Sequence, residues 1–262
     1  MTGGRVPLGD ALASPAAKAR YVRGLFSTIA DRYDLITVLL SFGLDARWKR
    51  RVVRLADPHP GGRALDLACG TGDIAFGLAA GGPHVVGLDI THRMLQLARL
   101  RLHPASAFGR AEGRRQDRTT THTPGTLPPA FLQGDMSSLP FPNASFDLVT
   151  AGYGLRNVPD LEQALNEISR VVGPGGTLVS LDFNRPSSAV ARGIYVSYLW
   201  LVGGALGWIL HRDPDTYRYI PASIERYPGA AAVTQMILRA GFTRATWVPV
   251  LGGLMAIHVA RK

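Results

Sequence analysis

From residue 63 onward, the chain alternates short apolar runs with stretches of helical periodicity. Apolar runs of this length that are bounded by turns are typical of buried strands. The predicted strands are 63–69, 84–90, 131–135, 146–152 and 177–183. The predicted helices are 72–80, one that begins after Thr91, and 160–172, with "GPGG" ending the last one. Repeated strand–helix units imply a parallel sheet with right-handed crossovers.

Two further apolar runs near the end of the chain depart from this alternation. They are "RATWVPVL" and "LMAIHVAR", and only "GG" separates them. This spacing predicts a β-hairpin, which adds one antiparallel strand. A seven-stranded, mostly parallel sheet with one antiparallel strand in a terminal hairpin favours the class I methyltransferase version of the Rossmann-like α/β fold over the dinucleotide-binding version.

Composition and periodicity divide the chain into segments. Residues 1–19 are predicted to be a disordered N-terminus, and 20–60 an N-terminal helical cap. Residues 61–262 form the predicted α/β methyltransferase domain. Within it, 103–130 is rich in Gly, Pro, Thr and Arg and is interpreted as a disordered insert. Residues 187–228 are predicted to form a second helical cap on the substrate side.

The formal net charge of +10 suits an anionic partner. Part of this charge lies on a predicted helix that Asp45 is expected to cap. Its basic faces are either solvated or in contact with anionic lipid headgroups. The uncharged run 194–210 has 17 residues, at the lower edge of what a span needs. We interpret it as a buried or interfacial helix, and expect a cytoplasmic protein with peripheral contact at the inner face of the membrane.

Several residue types argue against particular kinds of bond, site and partner. Cys69 is the single cysteine, so no internal disulfide can form, which favours a reducing compartment. The first residues lack the apolar core of a signal peptide. His103 and His122 have no cysteine or carboxylate cluster beside them, so no metal site is expected. Aromatic residues are not interleaved with the basic cluster, and a nucleic-acid partner is not expected.

The glycine turn after the first predicted strand is the main candidate for a ligand site. Gly70 and Gly72 let the backbone approach a ligand closely, and the spacing Gly70-x-Gly72-x-x-Ala75 also fits a dinucleotide fingerprint. Asp66, just before the turn, would repel a pyrophosphate but favour the cationic S-adenosylmethionine. Asp89 can accept hydrogen bonds from ribose hydroxyls in either class of cofactor.

A second group of polar residues follows the third predicted strand. Asp135 and Met136 can flank an adenine, the carboxylate at its exocyclic amine and the thioether at its face. The alternative is an ordinary turn. Ile90, next to Asp89, completes the predicted cofactor site.

Several longer segments resemble one family. They are "YDLITVLLSFGLDARWKRR", "LDLACGTGD", "LPFPNASFDLVTAGYGLRNVPD", "EISRVVGPGGTLVSLDF" and "YRYIPASIERYP". Together they are similar to the UbiE/MenG family, S-adenosylmethionine-dependent C-methyltransferases of menaquinone and ubiquinone biosynthesis. The resemblance extends from about residue 20 to 262, apart from the insert at 103–130. "GTGD" alone indicates only the broad methyltransferase class, whereas "GLRNVPD" is much more specific.

The resemblance also assigns site residues. It implies that S-adenosylmethionine is contacted by Thr71, Asp89, Asp135, Met136 and Gly152. The chain departs from the usual family residues at Thr37, Asp45, Gly173, Asp182 and Asn184. These departures leave the identity of the quinone open, and another aromatic acceptor fits as well.

The implied acceptor is a lipophilic quinol, either demethylmenaquinol or the methoxy-benzoquinol of the ubiquinone pathway. A ring carbon becomes nucleophilic when a neighbouring phenol loses its proton, and a free phenol has a pKa near 10. Arg156 is predicted to stabilise the phenolate, or alternatively to hold its loop through an ion pair. Asn157 is predicted to orient the ring, and Tyr153 to line the pocket or merely to pack. Further candidates from the two caps are Tyr33, Tyr195, His211 and Tyr217.

Three other functions remain open from the residues alone. One is a class I methyltransferase that acts on another small aromatic or lipid acceptor. The second is an NAD(P) oxidoreductase, which the glycine spacing allows. The third is a non-catalytic binding module, which the positive charge suggests.

Overall fold

The computed structural model describes residues 14–102, 126–185 and 189–262. Within them, seven strands form one sheet with the order β3-β2-β1-β4-β5-β7-β6. The strands are β1 (Arg63–Leu67), β2 (His84–Asp89), β3 (Ala130–Gln133), β4 (Phe146–Gly152), β5 (Val172–Phe183), β6 (Arg244–Val250) and β7 (Met255–Arg261). β7 pairs antiparallel with β5 and β6, and every other pair is parallel. The predicted sheet and its terminal hairpin are confirmed.

Nine helices accompany the sheet in the described residues. They are α1 (Pro15–Ile29), α2 (Tyr33–Leu40), α3 (Asp45–Ala56), α4 (Asp73–Ala79), α5 (His92–Leu102), α6 (Leu161–Val171), α7 (Ala189–His211), α8 (Asp215–Arg226) and α9 (Ala230–Arg239). Short 3-10 turns lie at Ala30–Arg32, Leu155–Asn157 and Leu251–Gly253.

Helices cover both faces of the sheet, which explains why its central strands are mostly apolar. Leu65 and Leu67 of β1 pack in one core cluster with side chains of α6 and α9. Ala64, which points to the other face, packs with side chains of α3 and α4. Burial on both faces removes the polar alternation that a half-exposed strand would show.

The two predicted caps form one packed layer. A third core cluster joins Val22 of α1 and Ile36 of α2 to Leu199 of α7 and Tyr217 of α8. The segments 20–60 and 187–228, far apart in sequence, therefore meet in space.

The structure corrects the predicted start of the first helix. α1 begins at Pro15, so residues 15–19 are helical rather than disordered. Ser14 caps the helix, since its hydroxyl accepts a hydrogen bond from the Ala17 amide at 3.2 Å, and proline is favoured at the first helical position. Residues 1–13 of the predicted disordered segment lie outside the described residues, as do residues 103–125 of the predicted insert.

Three further details differ from the prediction. The "GPGG" segment does not separate α6 from β5: the strand begins at Val172, directly after the helix, and contains these glycines. It accommodates them with an irregular register against β4. Asp45 does not cap α3 through its side chain, because its carboxylate is bonded to Lys49 and Tyr153 instead. Ala130, predicted to end the insert, is the first residue of β3.

The order of the strands locates a crevice. From β1 the sheet grows towards β3 on one side, and from β4 towards β5 on the other. In sheets of this kind, ligands bind outside the carboxyl ends of the strands at the point where the order reverses. Asp89 and Gly152 are the last residues of β2 and β4 and lie at this edge.

We expect Asp66 to make the stability of the fold depend on pH. Asp66 is buried in β1, and burial raises the pKa of its carboxyl group to about 7, although the hydrogen bond from Thr150 partly opposes this. The folded chain therefore binds this proton more tightly than the unfolded chain. The resulting stabilisation is complete below about pH 4 and is lost as the pH rises to about 7.

The measurement is urea unfolding of the wild type and of Asp66→Asn at about pH 5 and about pH 7.5. The amide keeps an acceptor for Thr150 but cannot titrate, so its free energy of unfolding should fall less with pH, by up to about 1.4 kcal/mol per pH unit. Asp147→Asn, at a half-exposed carboxylate of β4, is the matched control and should follow the wild type. Parallel curves for wild type and Asp66→Asn would contradict this prediction.

Candidate functional site

The turn that follows β1 is tied to the end of β2. Gly70 and Gly72 have φ angles of 54° and 89°, a left-handed conformation that glycine adopts without steric cost. The Gly72 amide donates to the Cys69 carbonyl at 2.8 Å. The Gly70 amide donates to Asp89 Oδ2 at 2.9 Å. The carboxylate that closes β2 therefore holds the glycine turn in place.

Asp89 retains acceptor capacity beyond these internal bonds. Its Oδ1 accepts from the Thr91 amide at 2.7 Å, and its Oδ2 accepts from Gly70. Burial raises the pKa of Asp89, while the two backbone hydrogen bonds act in the opposite direction. A carboxylate offers about four lone-pair sites, so two sites remain for the hydroxyls of a vicinal diol.

Six of the nine predicted cofactor residues line one cleft, which we call the first cleft, at the carboxyl edge of the sheet. They are Gly70, Asp89, Ile90, Asp135, Met136 and Gly152. The first cleft contains about 720 Å³ of empty space including its mouth. Concave sites with a few convergent polar groups among apolar side chains are where small molecules and cofactors commonly bind.

The other three predicted cofactor residues are not among those that line the first cleft. Asp66 is buried below the turn, where it accepts from the Thr150 hydroxyl at 2.7 Å. Thr71 donates its hydroxyl to Asp34 of α2 at 3.1 Å. A Cβ atom at Gly72 would meet the rings of Phe76 and Phe131. The structure therefore uses these residues to support the turn and to attach α2 to it.

Sequence reasoning missed the contribution of α1 to the first cleft. Ala19, Val22 and Phe26 of α1 line the first cleft. Lys18 fastens the helix there, since its ammonium donates to the Arg156 and Val158 carbonyls at 2.9 and 2.6 Å. The available signal was the helical spacing of Val22 and Phe26, which shows an apolar face but not what it covers.

The charge of the first cleft discriminates between cofactor classes. Among the described residues that line it, Asp89 and Asp135 are the charged ones and both are acidic. A pyrophosphate would meet only carboxylates here, whereas a cationic sulfonium and ammonium would be attracted. The residues present therefore fit S-adenosylmethionine better than a dinucleotide.

A second cavity adjoins the first cleft and differs from it in character. It contains about 660 Å³ of empty space, and its walls are mainly aliphatic and aromatic. Phe26, Tyr33 and Tyr153 line both spaces. The candidate residues Tyr195 and Tyr217 also line the second cavity, while His211 lies behind Tyr217, with its ring nitrogen 2.8 Å from the Tyr217 hydroxyl.

Arg156 brings a buried positive charge to the wall of the second cavity. Its Nη1 lies 2.9 Å from Asp182 Oδ1, and its guanidinium lies over the Phe183 ring at 4.6 Å. Burial acts to lower the pKa of Arg156, but the charge of Asp182 outweighs it and raises the pKa. Arg156 Nε is buried without a hydrogen-bond partner among the described residues. Of the two alternatives predicted for Arg156, the ion pair that holds the loop is present in the structure, and its Nε donor is left unbonded.

Asn157 and Tyr153 are placed differently from each other. Asn157 lines the first cleft and not the second cavity, and its amide group donates to the Tyr153 carbonyl and accepts from Tyr219. Tyr153 lies between the two spaces and donates its hydroxyl to Asp45 Oδ1 at 2.8 Å. The available sequence signal for this contact was that Asp45 departs from the usual family residue.

Comparison with known proteins agrees with this geometry. Solved structures share the fold at low identity: a methyltransferase from Thermotoga maritima, titled a possible histamine N-methyltransferase, superposes with a TM-score of 0.60 and 18% identity over 92% of this chain and 99% of its own. A putative methyltransferase from Haloferax volcanii, in complex with the Trm112 activator, gives a TM-score of 0.59, also at 18% identity, over 90% and 96%.

Sequence relatives are closer. The demethylmenaquinone methyltransferase of Thermus thermophilus is 41% identical over 91% of this chain and 100% of its own length. The ubiquinone/menaquinone biosynthesis C-methyltransferase UbiE of Ectopseudomonas mendocina is 36% identical over 92% and 88%. The pattern of the ubiE/COQ5 methyltransferase family matches residues 15–262. The chain belongs to the ubiE/COQ5 methyltransferase family and is an S-adenosylmethionine-dependent methyltransferase.

Proposed function

We propose that this enzyme transfers the methyl group of S-adenosylmethionine to a ring carbon of a demethylated prenyl quinol, with demethylmenaquinol as the acceptor. The observation that carries the proposal is the wall shared by two unlike spaces, formed by Phe26, Tyr33 and Tyr153. The first cleft is acidic and suits a cationic methyl donor. The second cavity is apolar and suits a ring with a hydrocarbon tail. A ring in the second cavity would face a methyl donor in the first cleft.

The residues of the first cleft have separate roles in this proposal. Asp89 accepts hydrogen bonds from the ribose, and Asp135 and Met136 flank the adenine. Gly70 leaves open space at the turn after β1, since a Cβ there would meet nothing within 4 Å, and Gly152 lines the cleft at the end of β4. When bound, S-adenosylmethionine supplies an electrophilic methyl group. Good alignment of an acceptor with such a group contributes roughly 7–11 kcal/mol to catalysis.

Arg156 supplies the electrostatic part of the chemistry. The acceptor carbon is nucleophilic when the neighbouring hydroxyl carries negative charge, and Arg156 lies in the cavity wall with its Nε unbonded. A fixed donor in a dry site stabilises a developing oxyanion without reorganisation. The chain thus lowers the free energy of the phenolate form, which is the nucleophile towards the methyl group.

The names of the relatives support the class of acceptor. The Thermus thermophilus relative is named for demethylmenaquinone, and the UbiE relatives are named for both ubiquinone and menaquinone. The methoxy-benzoquinol of the ubiquinone pathway is the first alternative acceptor, and another small aromatic or lipid molecule is the second. Turnover of demethylmenaquinol against the methoxy-benzoquinol and a simple phenol at equal concentration separates the three.

The apolar surface beside the second cavity supports a further part of the proposal, namely that the enzyme docks on an anionic bilayer. Exposed apolar side chains concentrate on α2, on the turn that follows it and on α7; they are Leu35, Val38, Leu39, Phe42, Val190, Ile194, Trp200, Leu201, Trp208 and Ile209. The segment 192–211 is long and apolar enough to span a membrane by length and composition, and 28% of its apolar window is buried.

Charge beside this surface favours a bilayer over another apolar partner. Arg212 lies 5.5 Å from the Trp208 ring, and Arg218 lies 5.9 Å from the Trp200 ring. Tryptophan with flanking arginine is typical of helices that lie in the headgroup region. Docking there would place the second cavity next to the membrane that holds a prenyl quinol.

The first prediction from this proposal concerns the cofactor. Asp89→Ala removes the proposed ribose acceptors, and hydrogen bonds to charged groups contribute about 1.5–3 kcal/mol. We expect affinity for S-adenosylhomocysteine to fall at least about tenfold, measured by calorimetry. Asp147→Asn, at the opposite edge of the sheet, serves as the control and should bind normally. If the wild-type protein gave a binding heat with NAD and none with S-adenosylhomocysteine, the cofactor assignment would be refuted.

The second prediction concerns Arg156. The double variant Arg156→Gln with Asp182→Asn keeps a neutral hydrogen-bonded pair, so that no buried charge is left without a partner. We expect binding of S-adenosylhomocysteine to stay within about twofold of wild type, while kcat falls by about a hundredfold, the usual cost of losing one oxyanion donor. Melting temperature reports the integrity of the fold. Near-normal turnover would remove Arg156 from the mechanism.

The third prediction concerns the bilayer. Leu201→Glu places a charge in the apolar surface of α7, at a side chain that is 77% exposed, and should abolish co-sedimentation with vesicles that contain anionic lipid. Leu100→Glu makes the same change at an exposed leucine of α5 and should leave co-sedimentation intact. Wild-type protein that stays in solution with such vesicles at low salt would exclude docking.

A further inference from the structure

Tyr153 lines both spaces, yet its hydroxyl proton is already engaged. The hydroxyl donates to Asp45 Oδ1 at 2.8 Å, and both side chains are buried. Burial raises the pKa of Tyr153 well above its ordinary value, and the charge of Asp45 raises it further. The phenol therefore keeps its proton, and the direction of that proton is set by Asp45.

Lys49 fixes this direction from the far side of Asp45. Its ammonium lies 2.6 Å from Asp45 Oδ2 and 2.9 Å from Asp73 Oδ2. Burial acts to lower the pKa of Lys49, but the charges of Asp73 and Asp45 outweigh it and raise the pKa. An ammonium has only donors, so it holds Oδ2 and leaves Oδ1 to Tyr153.

The tyrosine itself is held firmly between the two spaces. Its φ angle is 59°, an unusual conformation for a bulky residue that persists where the surroundings enforce it. Its amide donates to the Leu181 carbonyl at 2.7 Å, and its ring packs against Phe183 at a centroid distance of 6.0 Å. The position of the Tyr153 oxygen is therefore fixed, as well as its proton.

We propose that the hydrogen bond from Tyr153 to Asp45 selects the reduced form of the acceptor. With its proton directed to Asp45, the Tyr153 oxygen presents only lone pairs to the second cavity. A quinol hydroxyl can donate to these lone pairs, whereas a quinone carbonyl brings lone pairs against them. Tyr153 touches the acceptor, and Asp45 acts through it as a positioning residue. The inference rests on the proposed function for its assumption that an aromatic acceptor occupies this cavity.

The proposal has a direct consequence for Asp45→Asn. Because Lys49 can only donate, the amide oxygen of the asparagine turns to Lys49, and the amide nitrogen faces Tyr153. The nitrogen donates to the tyrosine oxygen, so the tyrosine proton turns into the cavity. This variant should therefore prefer a carbonyl over a hydroxyl.

The test uses two non-reacting probes of nearly equal shape, 1-naphthol with a hydroxyl and 1-tetralone with a carbonyl. Their affinities are measured by calorimetry on the full chain saturated with S-adenosylhomocysteine. Wild type should prefer 1-naphthol by about tenfold, the usual effect of a matched against an unmatched hydrogen bond. Tyr153→Phe should bring the ratio close to one, and Asp45→Asn should move it towards 1-tetralone.

Asp73→Asn is the matched control, because it removes the other negative charge beside Lys49 and leaves the Tyr153–Asp45 bond intact. It should keep the wild-type preference. Melting temperature and affinity for S-adenosylhomocysteine report folding of each variant. Equal affinity of wild type for the two probes, or a preference that survives Tyr153→Phe, would overturn the inference while turnover of demethylmenaquinol still supports the proposed function. Failure of wild type to bind either probe would overturn both the inference and the assignment of the acceptor to this cavity.

Discussion

The hydrogen bond from the Gly70 amide to Asp89 depends on the parallel pairing of β1 with β2. It holds the glycine turn that borders the first cleft. The strands are in register with Leu67 opposite Leu88, and the Cys69 amide continues the ladder to the Leu88 carbonyl at 3.1 Å. The chain can then turn only through left-handed residues, which glycine supplies. A carboxylate that would otherwise be buried at a cost obtains two backbone donors and faces the first cleft.

The helical layer completes the site because a sheet edge alone would be an open crevice. α1 is attached by Lys18 to the loop after β4, and α2 is attached by Asp34 to Thr71 in the glycine turn. α7 and α8 pack against both helices. The result is that one apolar cavity and one acidic cleft share a wall, although their residues come from opposite ends of the chain.

Local sequence patterns were sufficient for the strands and the hairpin, since apolar run length and tight turns are local signals. They failed where a contact joins distant residues. Asp45 has the sequence features of a helix cap, but its partner Tyr153 lies 108 positions away, and no local pattern encodes that bond. The bond from the Thr150 hydroxyl to Asp66 joins β4 to β1, and it too is absent from any local pattern. The acceptor residues Arg156 and Asn157 were predicted from their place just after the fourth strand, and that place does not tell which of the two spaces each residue lines.

The shared wall of Phe26, Tyr33 and Tyr153 has a thermodynamic consequence. Ligands in the two spaces would contact the same three side chains, so a ligand that shifts them towards the position the other ligand requires would assist its binding. Linkage makes such assistance reciprocal: whatever factor the donor adds to the affinity of the acceptor, the acceptor adds to that of the donor. Any cooperativity between the two ligands would therefore pass through these three aromatic rings.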